Sequence, residues 1–268
     1  MANLPDSEEL RQQLRAHVRA HVRSLADAGI EWLPVAPPLG VGAPAPAAQP
    51  VIPAPEEGSF LELPAPGPAA EPSIEERRIA LVQLAEEVRA CTRCPELCST
   101  RTQTVFGQGE PGVELCFVGE APGEDEDRQG LPFVGAAGQL LNKIIAACGL
   151  KREEVYIMNI LRCRPPRNRT PLPSEATNCR GFLERQIDLV RPRFICALGG
   201  CAASNLLQTT VPIGKLRGRF HEYRCIPLLV TYHPAYLLPH RSPEKKRDVW
   251  EDMKLLLERM GRPIPQRS

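Results

Sequence analysis

Three short apolar runs limit what this chain can fold into more than any other feature: Leu115 to Val118, Val155 to Ile160 and Phe194 to Leu198. Each has the length and β-rich composition of a strand buried on both faces, and helical stretches separate them. Two further strands are expected from Leu216 to Tyr223 and from Ile226 to Val230, with a closing amphipathic helix from Glu244 to Met260. Strands alternating with helices predict an α/β fold, a mostly parallel sheet with helices on both faces. The first run empties into Gly119-Glu120-Ala121-Pro122-Gly123, which neither a helix nor a strand can continue through. Four acids follow, Glu124 to Asp127, read as part of a rigid loop, then Leu131-Pro132-Phe133-Val134-Gly135 and a helix over 136–148. In open α/β sheets, such a loop at the carboxyl end of a strand is where a ligand binds.

The organisation around that core is uneven. Residues 1–30 carry one apolar stripe, Leu10, Leu14, Val18, Val22 and Leu25, on an expected amphipathic helix that could pack on another protein. Residues 31–74 read as an extended linker, because 12 of the 29 prolines fall between 34 and 74. The folded domain is expected over 75–262, opened by a capping box from Ser73 to Glu76, with 263–268 as a tail. No run of about 20 apolar residues and no basic-then-apolar leader is present, so a cytoplasmic protein is expected. The net charge of +1 hides an asymmetry: from Lys151 onward 22 Lys+Arg face 11 Asp+Glu, an excess that suits a polyanion such as nucleic acid.

Of the ten cysteines, Cys116, Cys148, Cys196 and Cys201 sit in apolar segments and read as small hydrophobes, and Cys225 is a turn residue. Cys91 and Cys94 form a C-x2-C pair after a helix, while Cys163 and Cys179 lie on a Pro/Arg-rich loop and early in a helix. Thiols so placed are available to a metal; a [4Fe-4S] cluster and a structural zinc both suit them, and Cys98 is a possible further donor.

Six separated motifs then converge on a family: CTRC, VFGQGEPG, GEAPGEDED, GLPFVGAAGQLL, YIMNILRCRPPRNRTP and HPAYLL. Over about residues 78 to 262 the chain resembles the family 4, iron–sulfur uracil-DNA glycosylases. The resemblance implies a three-layer α/β/α fold around a central four-stranded parallel sheet. It also implies a [4Fe-4S] cluster on Cys91, Cys94, Cys163 and Cys179, with Cys98 left out. The helix and linker at the N-terminus lie outside it.

The implied reaction breaks the N-glycosidic bond of uracil in single- or double-stranded DNA, so the enzyme must flip the nucleotide out and stabilise the departing base as an anion. Phe133 is expected to stack on the flipped ring, and Asn159 to read its polar edge with one donor and one acceptor. His233 could donate to the base oxygen as charge develops, with Ala121 and Gly123 shaping the pocket floor. Better known uracil-DNA glycosylases have an acid where this chain has Ala121, so Glu120, then Glu126, are the candidates to orient water. Leu237 and Leu238 could wedge into the base stack. Arg164, Arg167, Arg169, Lys215, Arg217 and Arg219 are candidate phosphate contacts. A monomer is expected. The competing reading is a cluster-stapled accessory module that binds DNA without catalysis, which would have no need of Phe133, Asn159 and His233 together. No Arg-rich insertion with a His lies between Gly138 and Asn159, so a covalent DNA adduct of the kind a related subclass forms is not expected.

Overall fold

Ser73 opens the first helix as its sequence predicts: its hydroxyl accepts from the Glu76 amide, and the Glu76 carboxylate accepts from the Ser73 amide at 2.7 Å. The structure, a computed structural model, describes residues 71–239 and 242–265. The expected N-terminal helix, nearly all of the Pro-rich linker and the last residues of the tail lie outside the described residues.

Helices α1 (Ile74–Arg89) and α2 (Pro95–Thr100) precede β1 (Leu115–Gly119), which is followed by α3 (Glu124–Gln129) and α4 (Ala136–Ala147). Then come β2 (Val155–Asn159), α5 (Pro173–Val190), β3 (Phe194–Leu198), α6 (Gly200–Leu207) and α7 (Ile213–Leu216). Strands β4 (Phe220–Tyr223) and β5 (Ile226–Thr231) and helix α8 (Lys246–Arg259) complete the domain. The sheet order is β2-β1-β3-β5-β4. The first four of these strands are parallel, as the resemblance implies. The fifth, β4, is an added antiparallel edge strand, joined to β5 by Arg224 and Cys225, both at positive φ as a two-residue hairpin requires.

Alternation along the strands decides the layers. Cys116, Val118, Tyr156, Met158, Ile195 and Ala197 face a core shared with Leu183 and Ile187 of α5 and Ala202 of α6. Leu115, Phe117, Val155, Ile157 and Cys196 face the other, shared with Leu141 and Ile145 of α4 and Met253 of α8. Both faces are therefore covered, the condition under which parallel strands read as unbroken apolar runs. Among the described residues no helix is long and apolar enough to cross a membrane.

Four local expectations are corrected. The four acids form α3 rather than loop, since acids complement the partial positive charge of a helix N-terminus. The predicted strand from Leu216 begins only at Phe220; Ile213–Leu216 is a helical turn entered from Pro212. The sequence suggests a helix from Glu175 to Val190 capped by Ser174; α5 instead begins at Pro173, and the Glu175 carboxylate caps it by accepting from the Leu172 amide at 2.8 Å. The closing helix starts at Lys246, after a 3₁₀ turn at Pro243–Lys245.

The VFGQG segment lies against the outer edge of β2, pairing antiparallel through Gln108 and Ile157. Gly109 sits there at φ +138°, and a Cβ would lie 2.6 Å from the Val155 carbonyl oxygen, so only glycine permits the approach.

Candidate active site

The parallel register places the carboxyl ends of β1 and β2 side by side, with Gly119 opposite Asn159. Chain connections leave β1 toward β2 on one side and β3 toward β5 on the other, so the crevice above β1 is a topological switch point. A solvent-open cleft of about 1550 Å³ lies there, lined by Glu120, Ala121, Gly123, Glu126, Phe133, Asn159 and His233. Every residue expected in the base pocket is in it.

Asn159 is 2% exposed, and its Oδ1 is buried without a hydrogen-bond partner among the described residues. An orphaned amide oxygen in a cleft costs about 1–3 kcal/mol until a donor pairs it. Phe133 closes the pocket at φ +52°, a conformation costly for an aromatic residue. Two clamps hold it. The Glu126 carboxylate accepts from the amides of Val134 and Gly135, both at 2.9 Å, and from Gly123 at 3.1 Å. From behind, Arg152 donates to the carbonyls of Pro132 at 2.6 Å and Phe133 at 3.3 Å, and to Asn142 Oδ1 at 2.7 Å.

His233 lies 5.6 Å from Phe133, ring centre to ring centre, at an interplanar angle of 34°. Its Nδ1 accepts from the Ala235 amide at 3.2 Å, which puts the proton of the neutral ring on Nε2. Gly119 fits between two of the cleft side chains: a Cβ there would lie 2.5 Å from both Asn159 Oδ1 and Phe133 Cζ. Gly119→Ala is expected to leave DNA binding near wild type and to abolish measurable binding of free uracil, read by equilibrium dialysis with labelled uracil.

The two carboxylates separate. Burial raises the pKa of Glu120, and among the described residues no hydrogen bond or ion pair holds its carboxylate. Glu126 accepts from three amides and so buckles the Gly123 loop to the Phe133 turn. Asp127, also buried, accepts from the Thr102 amide and is structural.

The four predicted cysteines come together. Cys91, Cys94 at the start of α2, Cys163 and Cys179 in α5 line one small cavity, with Cys98. Arg101 donates to the Cys163 sulfur at 2.9 Å and Asn178 to that of Cys94 at 3.5 Å. Burial pushes the Cys163 thiol up to about 11 against the pull of Arg101. Cys98 instead points its thiol at the Cys91 carbonyl, 3.4 Å away. Among the described residues no three such side chains converge on a single-ion site. Thiols gathered around one volume, with Arg101 and Asn178 N–H groups on two of the sulfurs, are the donor type that iron–sulfur clusters take.

The sequence signature described as the Uracil DNA glycosylase superfamily matches residues 106–254. The chain is a family 4 member of the uracil-DNA glycosylase superfamily. A type-4 uracil-DNA glycosylase of Thermotoga maritima is 45% identical over 175 residues, 63% of this chain and 89% of that one. One from Archaeoglobus fulgidus is 40% identical over 194 residues, covering 69% and 96%. A type-5 uracil-DNA glycosylase of Pyrobaculum aerophilum is similar at a lower level, 29% over 180 residues, 55% and 79% of the two chains.

The expected DNA contacts divide. Arg167, Lys215 and Arg219 are exposed. Arg217 is committed to buried Asp252, at 3.0 and 3.1 Å, and is corrected to a structural residue. Arg169 is held by Glu175 and Glu96, both at 2.7 Å, and Arg164 by Glu124 at 3.1 Å. Leu237 is 1% exposed in the core beneath the 3₁₀ turn Pro234–Leu237, so it is no wedge; Leu238 is half-buried. Tyr236, 44% exposed at the pocket wall, is the side chain of that turn that sequence reading passed over. Arg152 and Arg162 were also missed; nothing in their spacing distinguishes them from surface arginines.

Proposed function

We propose that this protein excises uracil from DNA, hydrolysing the N-glycosidic bond and leaving an abasic site. The observation that carries the reading is the convergence of Phe133, Asn159 and His233 on one pocket, with Glu120 at its rim. A flipped uracil stacks on Phe133, and the Asn159 amide pairs with its polar edge, satisfying the buried Oδ1. As the glycosidic bond breaks, the electron pair moves onto the base, and the His233 Nε2–H donates to the oxygen that gains charge. Glu120, as the carboxylate, orients the water that attacks the sugar carbon and favours the positive charge there.

Cys91, Cys94, Cys163 and Cys179 would hold a [4Fe-4S] cluster, which when bound ties α1, α2, α5 and the Arg-rich loop together and carries negative charge. The phosphates of uracil-containing DNA meet Arg167, Lys215 and Arg219. The protein acts as a monomer in the cytoplasm.

The test is incubation of the purified chain with a labelled single-stranded oligonucleotide holding one uracil, then alkaline cleavage. Cleavage at the uracil and none at a cytosine in the same position is expected. Intact substrate with a chain that carries iron and binds DNA overturns the enzyme reading in favour of a DNA-binding module.

A further inference from the structure

Between the thiol cavity and the base pocket stands one side chain that belongs to neither in sequence terms. Arg162 is 1% exposed, yet among the described residues no carboxylate is paired with it. Its Nη1 donates to the Asn159 carbonyl, its Nη2 to Gln186 Oε1 at 2.5 Å and to Met158 sulfur at 3.8 Å, and its Nε has no partner. Gln186 is itself fixed, donating to Tyr156 Oη at 2.7 Å and to the Phe106 carbonyl at 3.0 Å. A guanidinium stays charged at any working pH, and a buried charge without a counter-charge is strongly destabilising. The compensating charge must come from close by. Arg162 lines the thiol cavity together with Cys163 and Cys179.

We infer that Arg162 is a positioning residue that joins the two sites: the anionic thiolate centre holds its guanidinium in the core, and the guanidinium holds the Asn159 main chain. The inference rests on the proposed uracil excision and on the cluster. It gives the cluster a task at the pocket, through a residue that touches neither base nor DNA. Asn159 is the last residue of β2, with the Ile160 and Leu161 amides beyond it bonded to the Gly119 and Glu120 carbonyls, and its own carbonyl needs a donor. The fork of Arg162 supplies one and sets the direction in which the Asn159 amide points. Lysine could keep the charge but could not bridge Asn159 and Gln186 at once.

That difference separates the two halves of the role. Arg162→Lys is expected to keep iron and sulfide content and the cluster midpoint potential near wild type. Its inhibition constant for free uracil should weaken about tenfold, and kcat should fall by a similar factor with KM for uracil-containing DNA little changed. Arg162→Met is expected to lose uracil affinity as well and to shift the midpoint potential negative, because a neighbouring positive charge has gone. Wild-type uracil inhibition in Arg162→Lys, or a wild-type potential in Arg162→Met, overturns the inference.

If neither variant folds, the wild-type holoprotein decides, since coupling between two sites is reciprocal. Saturating free uracil should shift its midpoint potential, and no shift overturns the proposal. A wild type that carries a cluster but releases no uracil sinks the excision reading instead. One that releases uracil without iron sinks the cluster.

Discussion

Asn159→Ala and His233→Ala are each expected to lower uracil excision about a hundredfold or more, with thermal stability near wild type. A hundredfold is about 2.7 kcal/mol of transition-state stabilisation, the scale of one preorganised hydrogen-bond donor aimed at developing charge. The geometry says why neither change should unfold the chain. Asn159 Oδ1 is buried without a partner, so truncation removes an unsatisfied group and breaks no bond of that oxygen within the described residues. The bond that His233 Nδ1 accepts from the Ala235 amide at 3.2 Å lies at the start of a short turn that keeps its Tyr236-to-His233 backbone bond. Single-turnover cleavage of the uracil oligonucleotide beside a melting curve measures both. Full activity in Asn159→Ala would remove base reading from the strand end. A melting point that falls with activity would turn either residue into a structural one.

The sheet and the pocket were legible in sequence because both follow from short-range signals. Buried parallel strands show as unbroken apolar runs, and Gly119, Asn159 and His233 each stand where such a run stops, which is where ligands meet an α/β sheet. What stayed hidden depends on partners distant in the chain. Arg217 has the same local surroundings as Arg219, and only the fold brings Asp252 of α8 to one and not the other. Leu237 and Tyr236 are neighbours in a turn, and a turn's sequence does not say which residue faces in. Glu126 and Glu120 look alike for the same reason: nothing along the chain shows three amides converging on one carboxylate.

Those two glutamates should respond in opposite ways to loss of charge. Glu126→Gln keeps one acceptor oxygen but turns an NH₂ toward an amide that needs an acceptor. Donor against donor in a half-buried site costs about 1–3 kcal/mol. In a domain of this size that lowers Tm by roughly 3–10 °C, and the loosened Phe133 turn raises KM before it lowers kcat. Glu120→Gln removes a charge that burial already disfavours. Because the folded-state pKa of Glu120 is raised, its ionisation costs stability as pH climbs through that value, and glutamine abolishes the cost. Glu120→Gln should therefore melt at or above wild type near neutral pH. Its excision rate should drop about tenfold or more, as expected when a group that orients the attacking water is lost.

The pH profile separates the roles further. If the Glu120 carboxylate positions water, wild-type activity rises with pH through a limb displaced above the ordinary glutamate range, and Glu120→Gln flattens that limb while Glu126→Gln retains it. A limb that disappears in Glu126→Gln and persists in Glu120→Gln would move the water to the other carboxylate. It would also require the bonds from Glu126 to Val134, Gly135 and Gly123 to open when DNA binds.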